Sequence, residues 1–588
     1  MLQGCIAVFQ KILEEQGGGE QKILDEYVPA NGTYLIVSKD GTIRVQEEIQ
    51  LDKKTKEIRK GLHFSELCFM DYHSRLISMN KPIDAKKVIH SDNEWSFWIK
   101  KDSLVSGKLT EEIIDGYYDT LLDPVGKKYG KSKEAVRIYR NFEEKNGAVD
   151  QEALERCRKW IKDHIFSLEG IDLSKKDYLK IFFEASEEEY IREDQRYILP
   201  NIYNNNDYNV EINGEIFGLP DDNLGMNVKK PFLSIKTRKY PAPYLLNEHQ
   251  VMQQKEFFNY LTNQAAIGRL NIYVDTDQNK IYACGGNEVC EEHINSGYFL
   301  RLKKGKETEI PWQDNLSGYK QEMDIPFYFR NFTNTEYTRH PEYAKRFGKI
   351  ERRNMLKDCI NDVVFWNYLN GNLWLEASEV STVDDKMRCD ILRAREAIRE
   401  WSVTAFGVDQ DKRLESVLEP TSLNALKRSV LENQSERIDW QLNFRWSSKA
   451  YFSKEEDDSV GRSACEVMEY VKQKILSEET SYIEEDHDNE YYFAVGQLVA
   501  YLISLSKAGD RNQALINPFL NTTSNGALRQ RLTQLYTKYN YAISDGSRRV
   551  KNLLAMIMAY TPDKPFDVEM FIWGYAANNI VYTKEEKK

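Results

Sequence analysis

The longest apolar run in this chain, Tyr491-Tyr492-Phe493-Ala494-Val495-Gly496-Gln497-Leu498-Val499-Ala500-Tyr501-Leu502-Ile503, limits the fold more than any other stretch. Crossing about 30 Å of hydrocarbon takes about 20 apolar helical residues, and this run is shorter and carries a Gln. It predicts a helix buried in protein rather than a membrane span. Gly496, Leu498, Leu502 and Leu505 can line one seam of that helix. Leu528, Leu532, Leu535 and Tyr539 make a second seam at helical spacing, and Leu553, Leu554, Ile557 and Met558 a third. Three or four such helices joined by short turns predict a compact bundle at the end of the chain.

Upstream the periodicities are mixed, and the fold class predicted is α+β. Ile6 to Glu15 is amphipathic and stops at Gly17-Gly18-Gly19. Thr33 to Val37 and Thr42 to Val45 alternate as strands around Lys39-Asp40-Gly41, a hairpin signal. Residues 110–195 read as mostly helical, Glu152 to Ile161 most clearly, and Asn201 to Asn209 as a polar surface loop. Strands return at Asn271–Val274, Lys280–Ala283 and Tyr298–Leu302; helical periodicity resumes at Arg352–Leu369 and Met387–Trp401. The charged joint Lys454 to Ser459 precedes the last module. Three regions are expected: 1–345 (α+β), 346–455 (helical) and 456–588 (the bundle).

With 41% hydrophobic and 30% charged residues among 588, the chain has material for several cores. Eight scattered cysteines argue for reduced thiols and a cytoplasmic protein, and Met1-Leu2-Gln3-Gly4-Cys5 lacks the basic start of a signal peptide. Only Cys284 and Cys290 are close, with His293 beyond them. Zinc wants a second pair, so a turn between strands is the better reading, and no metal or cofactor is expected. A net charge of −12 disfavours nucleic acid on average, but binding surfaces are local and a subunit of a ribonucleoprotein shares the phosphates with its neighbours.

Three blocks carry the functional signal. In the first, Tyr72-His73-Ser74-Arg75-Leu76-Ile77-Ser78-Met79-Asn80-Lys81-Pro82, a helical stretch is expected to stop at Asn80, because Pro82 lacks an N–H and biases Lys81 away from helix. Lys86-Lys87-Val88-Ile89-His90-Ser91 and a short aromatic strand, Trp95 to Lys101, follow. The second block runs from Phe217-Gly218-Leu219-Pro220-Asp221 to Pro241-Ala242-Pro243-Tyr244. Between 221 and 239 five cations meet two anions on an irregular loop. Flexible cationic stems suit phosphate, although a solvated loop carries such charge equally well. The third block is the C-terminal module. Residues 469–490 hold eight acidic residues against two lysines, and 491–560 hold eight basic residues (Lys507, Arg511, Arg529, Arg531, Lys538, Arg548, Arg549, Lys551) against two acidic ones.

These blocks, together with Asn517-Pro518-Phe519-Leu520, Asn552 to Met556, Gly574-Tyr575 and Asn578-Asn579, resemble the large subunit of the type I-B CRISPR Cascade effector complex. The resemblance implies an RNA-guided antiviral ribonucleoprotein whose large subunit is not an enzyme. It implies an N-terminal part that meets the subunit gripping the guide RNA's 5′ end and inspects the PAM, the short duplex motif beside the target. Base pairing to the guide then reads the sequence as the R-loop opens. It further implies a C-terminal bundle similar to the Cascade small subunit, and recruitment of a separate helicase-nuclease. The partners implied are guide RNA with its backbone subunits, target double-stranded DNA, the small subunit and that nuclease. Some members carry a paired-cysteine zinc module near the second block; this chain lacks it.

Duplex inspection is expected of Asn80, Lys81, Lys86, Lys87, His90 and Asn93, and of Lys229, Lys230, Lys236, Arg238 and Lys239. Strand holding is expected of Arg529, Arg531, Arg548, Arg549 and Lys551. Some type I-B systems make a separate small subunit from an internal start. Met468, the only methionine between 387 and 556, would release 121 residues. Two other readings stand beside this one: a metal-dependent nuclease using Glu484-Glu485-Asp486-His487-Asp488 or Asp275 and Asp277, and a scaffold that binds only protein. The acidic run before the 491 helix reads more simply as a helix-dipole partner, and Asp275–Lys280 as a hairpin turn.

Overall fold

Five short β-rich segments of the N-terminal half build one mixed sheet: β1 (Gly32–Val37), β2 (Ile43–Leu51), β3 (Ile58–Arg59), β4 (Ser96–Lys100) and β5 (Tyr178–Phe183), in the order β3-β2-β1-β5-β4. The computed structural model describes the chain apart from residues 16–19, 53, 205–207, 222–243, 306, 405–408, 455–458, 507–514, 545 and 584–588, and gives 459–463 by backbone alone. β1 and β5 run parallel, Gly32 opposite Tyr178 and Val37 opposite Phe183. The other pairings are antiparallel. A parallel pair needs a long crossover, and here that crossover carries the helices Phe64–Tyr72, Glu111–Leu122, Lys133–Asn146 and Gln151–His164. β1 is buried along its whole length, as a strand covered on both faces must be. β5 is a strand inside a stretch whose sequence reads as mostly helical. Its run of Leu179, Ile181, Phe182 and Phe183 is buried on both faces, and periodicity does not separate that from a buried helix.

A small hairpin, β6 (Val210–Ile212) and β7 (Glu215–Phe217), turns at Asn213 and Gly214, both with positive φ, the Asn-Gly chemistry of a tight hairpin. A second sheet of β8 (Arg269–Asp275), β9 (Lys280–Gly285), β10 (Ile294–Lys304) and β11 (Thr308–Tyr319) has the order β11-β10-β8-β9. The Leu2–Glu15 and Glu248–Ala266 helices close a core on it through Phe9, Phe257, Phe258 and Leu261. Asp275 accepts from the N–H groups of Asp277 and Gln278, so it makes the β8–β9 turn.

The chain divides into two compact units, residues 1–290 with 294–317, and residues 291–293 with 318–588. The boundary expected at 345 falls inside the second unit, where one core joins Phe327 and Phe329 of β12 (Glu322–Phe329), Ile350 of β13 (Gly348–Arg352) and Phe444. The expected Arg352–Leu369 helix breaks after Arg353–Val363, because Trp366 and Asn367 adopt positive φ. The Ser435–Ser453 helix has no solvent stripe of the usual width. Trp440 and Phe444 enter the core with β12, while Ile438, Leu442 and Trp446 enter the core of the terminal bundle. The core of the terminal bundle therefore reaches back across the joint at 455, to Leu426.

In that bundle the helices Asp488–Ser504 and Val568–Ala576 cross through facing glycines. A Cβ on Gly496 would lie 2.3 Å from the Phe571 carbonyl oxygen, and one on Gly574 2.1 Å from that of Phe493. Leu528, Leu532, Leu535 and Tyr539 are buried as their spacing predicts, and so are Leu553 and Ile557; Met558, expected in the third seam, is exposed. Met468 lies within the Ser459–Leu476 helix. No helix of the described residues is long and apolar enough to cross a membrane.

Candidate nucleic-acid interface

The first block is not helical up to Asn80. Its helix ends at Tyr72, where His73 turns inward between two carboxylates. The His73 Nε2 lies 2.8 Å from Glu20 and its Nδ1 3.3 Å from Asp194. Burial alone would push this imidazole down, but the bonds to Asp194 and Glu20 outweigh it and lift the pKa to about 9. The chain then bridges from Arg75 to Ser91 and throws out a loop between them. Buried Asp84 builds that loop: its carboxylate accepts from the N–H groups of Lys86 at 2.8 Å, Val88 at 2.7 Å and Ile89 at 3.1 Å. The turn so closed holds Lys87 at positive φ and leaves Lys86 and Lys87 exposed, with no ion-pair partner among the described residues.

The other expected readers in this block split. Asn80 is exposed. Asn93 is a correction: it is fully buried, donates to the carbonyls of His73 and Tyr190, and accepts from the Trp95 N–H, so nothing is left for a base. His90 is half-buried, with its ring nitrogens on the Tyr178 hydroxyl and the Lys87 carbonyl, each at 3.1 Å. Burial lowers its pKa, which keeps it a neutral hydrogen-bonding group. Lys81 is also turned inward. Its Nζ donates to the carbonyls of Asn201 and Tyr203 and lies 3.8 Å from Asp221. Burial depresses the Lys81 pKa and raises that of Asp221, each opposed by the other's charge.

That contact nonetheless joins two blocks 140 residues apart in sequence, since Asp221 opens the charged part of the second block, anchored by its N–H to the Ile202 carbonyl at 2.7 Å. Lys229, Lys230, Lys236, Arg238 and Lys239 lie outside the described residues.

A basic segment absent from the sequence-based expectations lies against the same loop. Between Val125 and Arg140 six cations meet the single anion Glu134. Lys128 donates to the Lys81 and Pro82 carbonyls at 3.1 and 2.6 Å, which lays the segment alongside the loop. Its burial, and then the Lys81 charge, bring its pKa down to about 8. Lys127, Lys131, Lys133 and Arg140 are exposed and have no ion-pair partner among the described residues, while Arg137 pairs with Glu211 at 3.2 Å. The signal was present as Gly126-Lys127-Lys128-Tyr129-Gly130-Lys131-Ser132-Lys133; what the sequence lacked was its neighbour in space.

In the C-terminal module three of the five expected cations hold their own fold. Arg529 donates to the Tyr560 carbonyl and the Thr561 hydroxyl, Arg531 to the Thr522 hydroxyl, and Arg549 to the Val581 and Thr583 carbonyls. Arg548 and Lys551 are exposed on the first turn of the Arg548–Ala559 helix, with no partner among the described residues. Cations are unfavourable there, since the helix N-terminus is the positive end of its dipole. Lys507 and Arg511 lie outside the described residues. Asp488 of the acidic run is buried and accepts from the Tyr560 hydroxyl and the Lys564 N–H, tying down the 560–564 turn. Among the described residues no group of three His, Cys, Asp or Glu side chains is placed to hold a metal ion.

No family model matches this chain, and neither a curated protein nor a solved structure matches it.

Proposed function

We propose that the chain is the non-catalytic large subunit of a type I-B CRISPR surveillance complex, which inspects the PAM, helps to open and hold target DNA, and recruits the helicase-nuclease. The observation that supports it most is that the cationic loop bearing Lys86 and Lys87, on the first of the blocks whose sequence resembles that family, has a second cationic segment, bearing Lys127, Lys131 and Lys133, laid against it. Exposed lysines without ion-pair partners follow a phosphate backbone without demanding a base. Arg548 and Lys551, placed against their helix dipole, supply a second cationic spot on the other unit.

The test is salt-dependent binding of target duplex by the assembled complex. Replacing Lys86 and Lys87 by Glu is expected to weaken binding at least tenfold and to flatten log K against log salt by about 0.9 for each phosphate left unneutralised. Lys81→Met, by contrast, is expected to act through folding, because its ammonium serves carbonyls and Asp221. Unchanged affinity and slope in the double charge reversal would count against the reading.

A protein-only scaffold is the second reading. It is favoured by the inward use of Lys81, Asn93, Arg529, Arg531 and Arg549, which leaves fewer free cations than the sequence promised. Assembly with the complex but no change in duplex affinity when this chain is omitted would select it.

A further inference from the structure

We propose that the crevice at the carboxyl ends of the parallel strands β1 and β5 binds a nucleoside phosphate. In open sheets the crevice beyond the carboxyl ends of parallel strands is where ligands settle, because the connections diverge there and leave room. Here β1 ends at Val37 and β5 at Phe183, side by side, and a cavity of about 400 Å³ opens beyond them, bounded by the Ser38–Gly41 turn and the Gln151–His164 helix. That volume suits a small organic ligand.

The walls supply each part of a nucleotide with a partner. Arg156, Lys159, Trp160, Asp163 and His164 fall at i, i+3, i+4, i+7 and i+8 and so share one helix face, the face that lines the crevice. Trp160 is fixed by its indole N–H on the Gly41 carbonyl at 2.8 Å and by Phe183 edge-on at 5.7 Å. The exposed His164 ring lies flat on Trp160, centroids 4.6 Å apart and planes 16° apart, and offers its outer face to a heterocyclic base. Arg156, Lys159 and Lys39 are exposed and have no ion-pair partner among the described residues, as a phosphate requires.

Three carboxylates share this rim, and they are not equivalent. Asp40 is occupied by the N–H and hydroxyl of Thr42 at 3.0 and 2.7 Å, and Glu184 accepts the Lys39 N–H at 3.3 Å. Asp163 has no hydrogen-bond partner among the described residues and suits a sugar hydroxyl. The mixture of cations, one free carboxylate and stacked rings fits a nucleotide better than it fits a bare anion. The ligand is a free mononucleotide or the 5′-phosphorylated end of a strand, which present the same chemistry. None of these residues belongs to the cationic loops above, so the two proposals stand or fall separately.

Calorimetric titration of the full chain with AMP, GMP, CMP and UMP, with the matching nucleosides, and with 5′-phosphorylated and 5′-hydroxyl oligonucleotides tests it. The monophosphates are expected to bind at least tenfold tighter than their nucleosides. The surface double variant Arg156→Ala/Lys159→Ala should erase that difference while leaving the nucleosides unchanged, and His164→Ala should weaken both. Tighter binding of the free monophosphates than of the phosphorylated oligonucleotide assigns a metabolite; the reverse order assigns a strand end. No binding of any of these at millimolar concentration, or equal binding by the double variant and the parent, would overturn the proposal.

Discussion

Glu94 and Asp92 stand almost wholly buried at 2% and 1% exposure, their carboxylate oxygens without hydrogen-bond partners among the described residues. Burial, then the Glu193 charge, lifts Glu94 to about 8; burial and then Asp194 raise Asp92 well above the carboxylate range. His73, at about 9, shares the sign: each group holds its proton more tightly folded than unfolded. Stability contributed this way falls as pH rises, from 4.5 to about 8 for Glu94 and from 6.5 to about 9 for His73. Lys128, lowered from 10.5 to about 8, acts in the opposite sense only above about pH 8. Thermal unfolding is therefore expected at a lower temperature at pH 8 than at pH 6, and Glu94→Gln should shrink that difference. A melting temperature that rises between those pH values would refute the assignment.

The crossing of the Asp488–Ser504 and Val568–Ala576 helices depends on backbone contact. Gly496 and Gly574 each meet a carbonyl of the partner helix closer than any Cβ tolerates. Gly496→Ala is expected to push the helices apart and to cost about 1–3 kcal/mol or more, the scale of overpacking a well-filled core. Denaturant unfolding with an unchanged slope and a lower midpoint would register it. An exposed glycine with no neighbour, such as Gly526, is the control and should be tolerated. The seams at 498–502, 528–539 and 553–557 were legible because helical spacing is local. The glycine contact was not, since a glycine inside an apolar run looks the same whether or not another backbone lies against it.

Across the second unit, the terminal bundle leans on the helix before its joint. Arg445 of Ser435–Ser453 reaches buried Glu569 at 2.6 Å, Lys449 reaches it at 2.8 Å, and Trp446 packs edge-on against Trp573 at 5.8 Å. A product begun at Met468 would start in mid-helix and lack all three partners, stripping Glu569 of its cations and uncovering the apolar surface that Leu442 and Trp446 cover. Each large apolar side chain left uncovered forfeits about 1.5–3 kcal/mol of burial. Residues 468–588 expressed alone should therefore show helical signal with a broad, weakly cooperative melt, whereas 426–588 should unfold sharply. A sharp transition for the shorter piece would show that the bundle is self-sufficient and would support Met468 as the start of a free small subunit.

The amino-acid order alone settled the α+β class, the Lys39–Gly41 and Asp275–Lys280 hairpin turns, and the apolar stripes of the terminal helices. Each follows from interactions between residues a few positions apart. It could not say which polar side chains face inward. Asn93, Lys81, Arg529, Arg531 and Arg549 look like surface readers in sequence, yet most of their acceptors lie 20 to more than 100 residues away, and only the folded chain brings those carbonyls to them. The same long-range packing set Lys127, Lys131 and Lys133 beside the Lys86 loop. Spacing fixes what an element is, while the partner that captures a charge or leaves it free is fixed by tertiary structure.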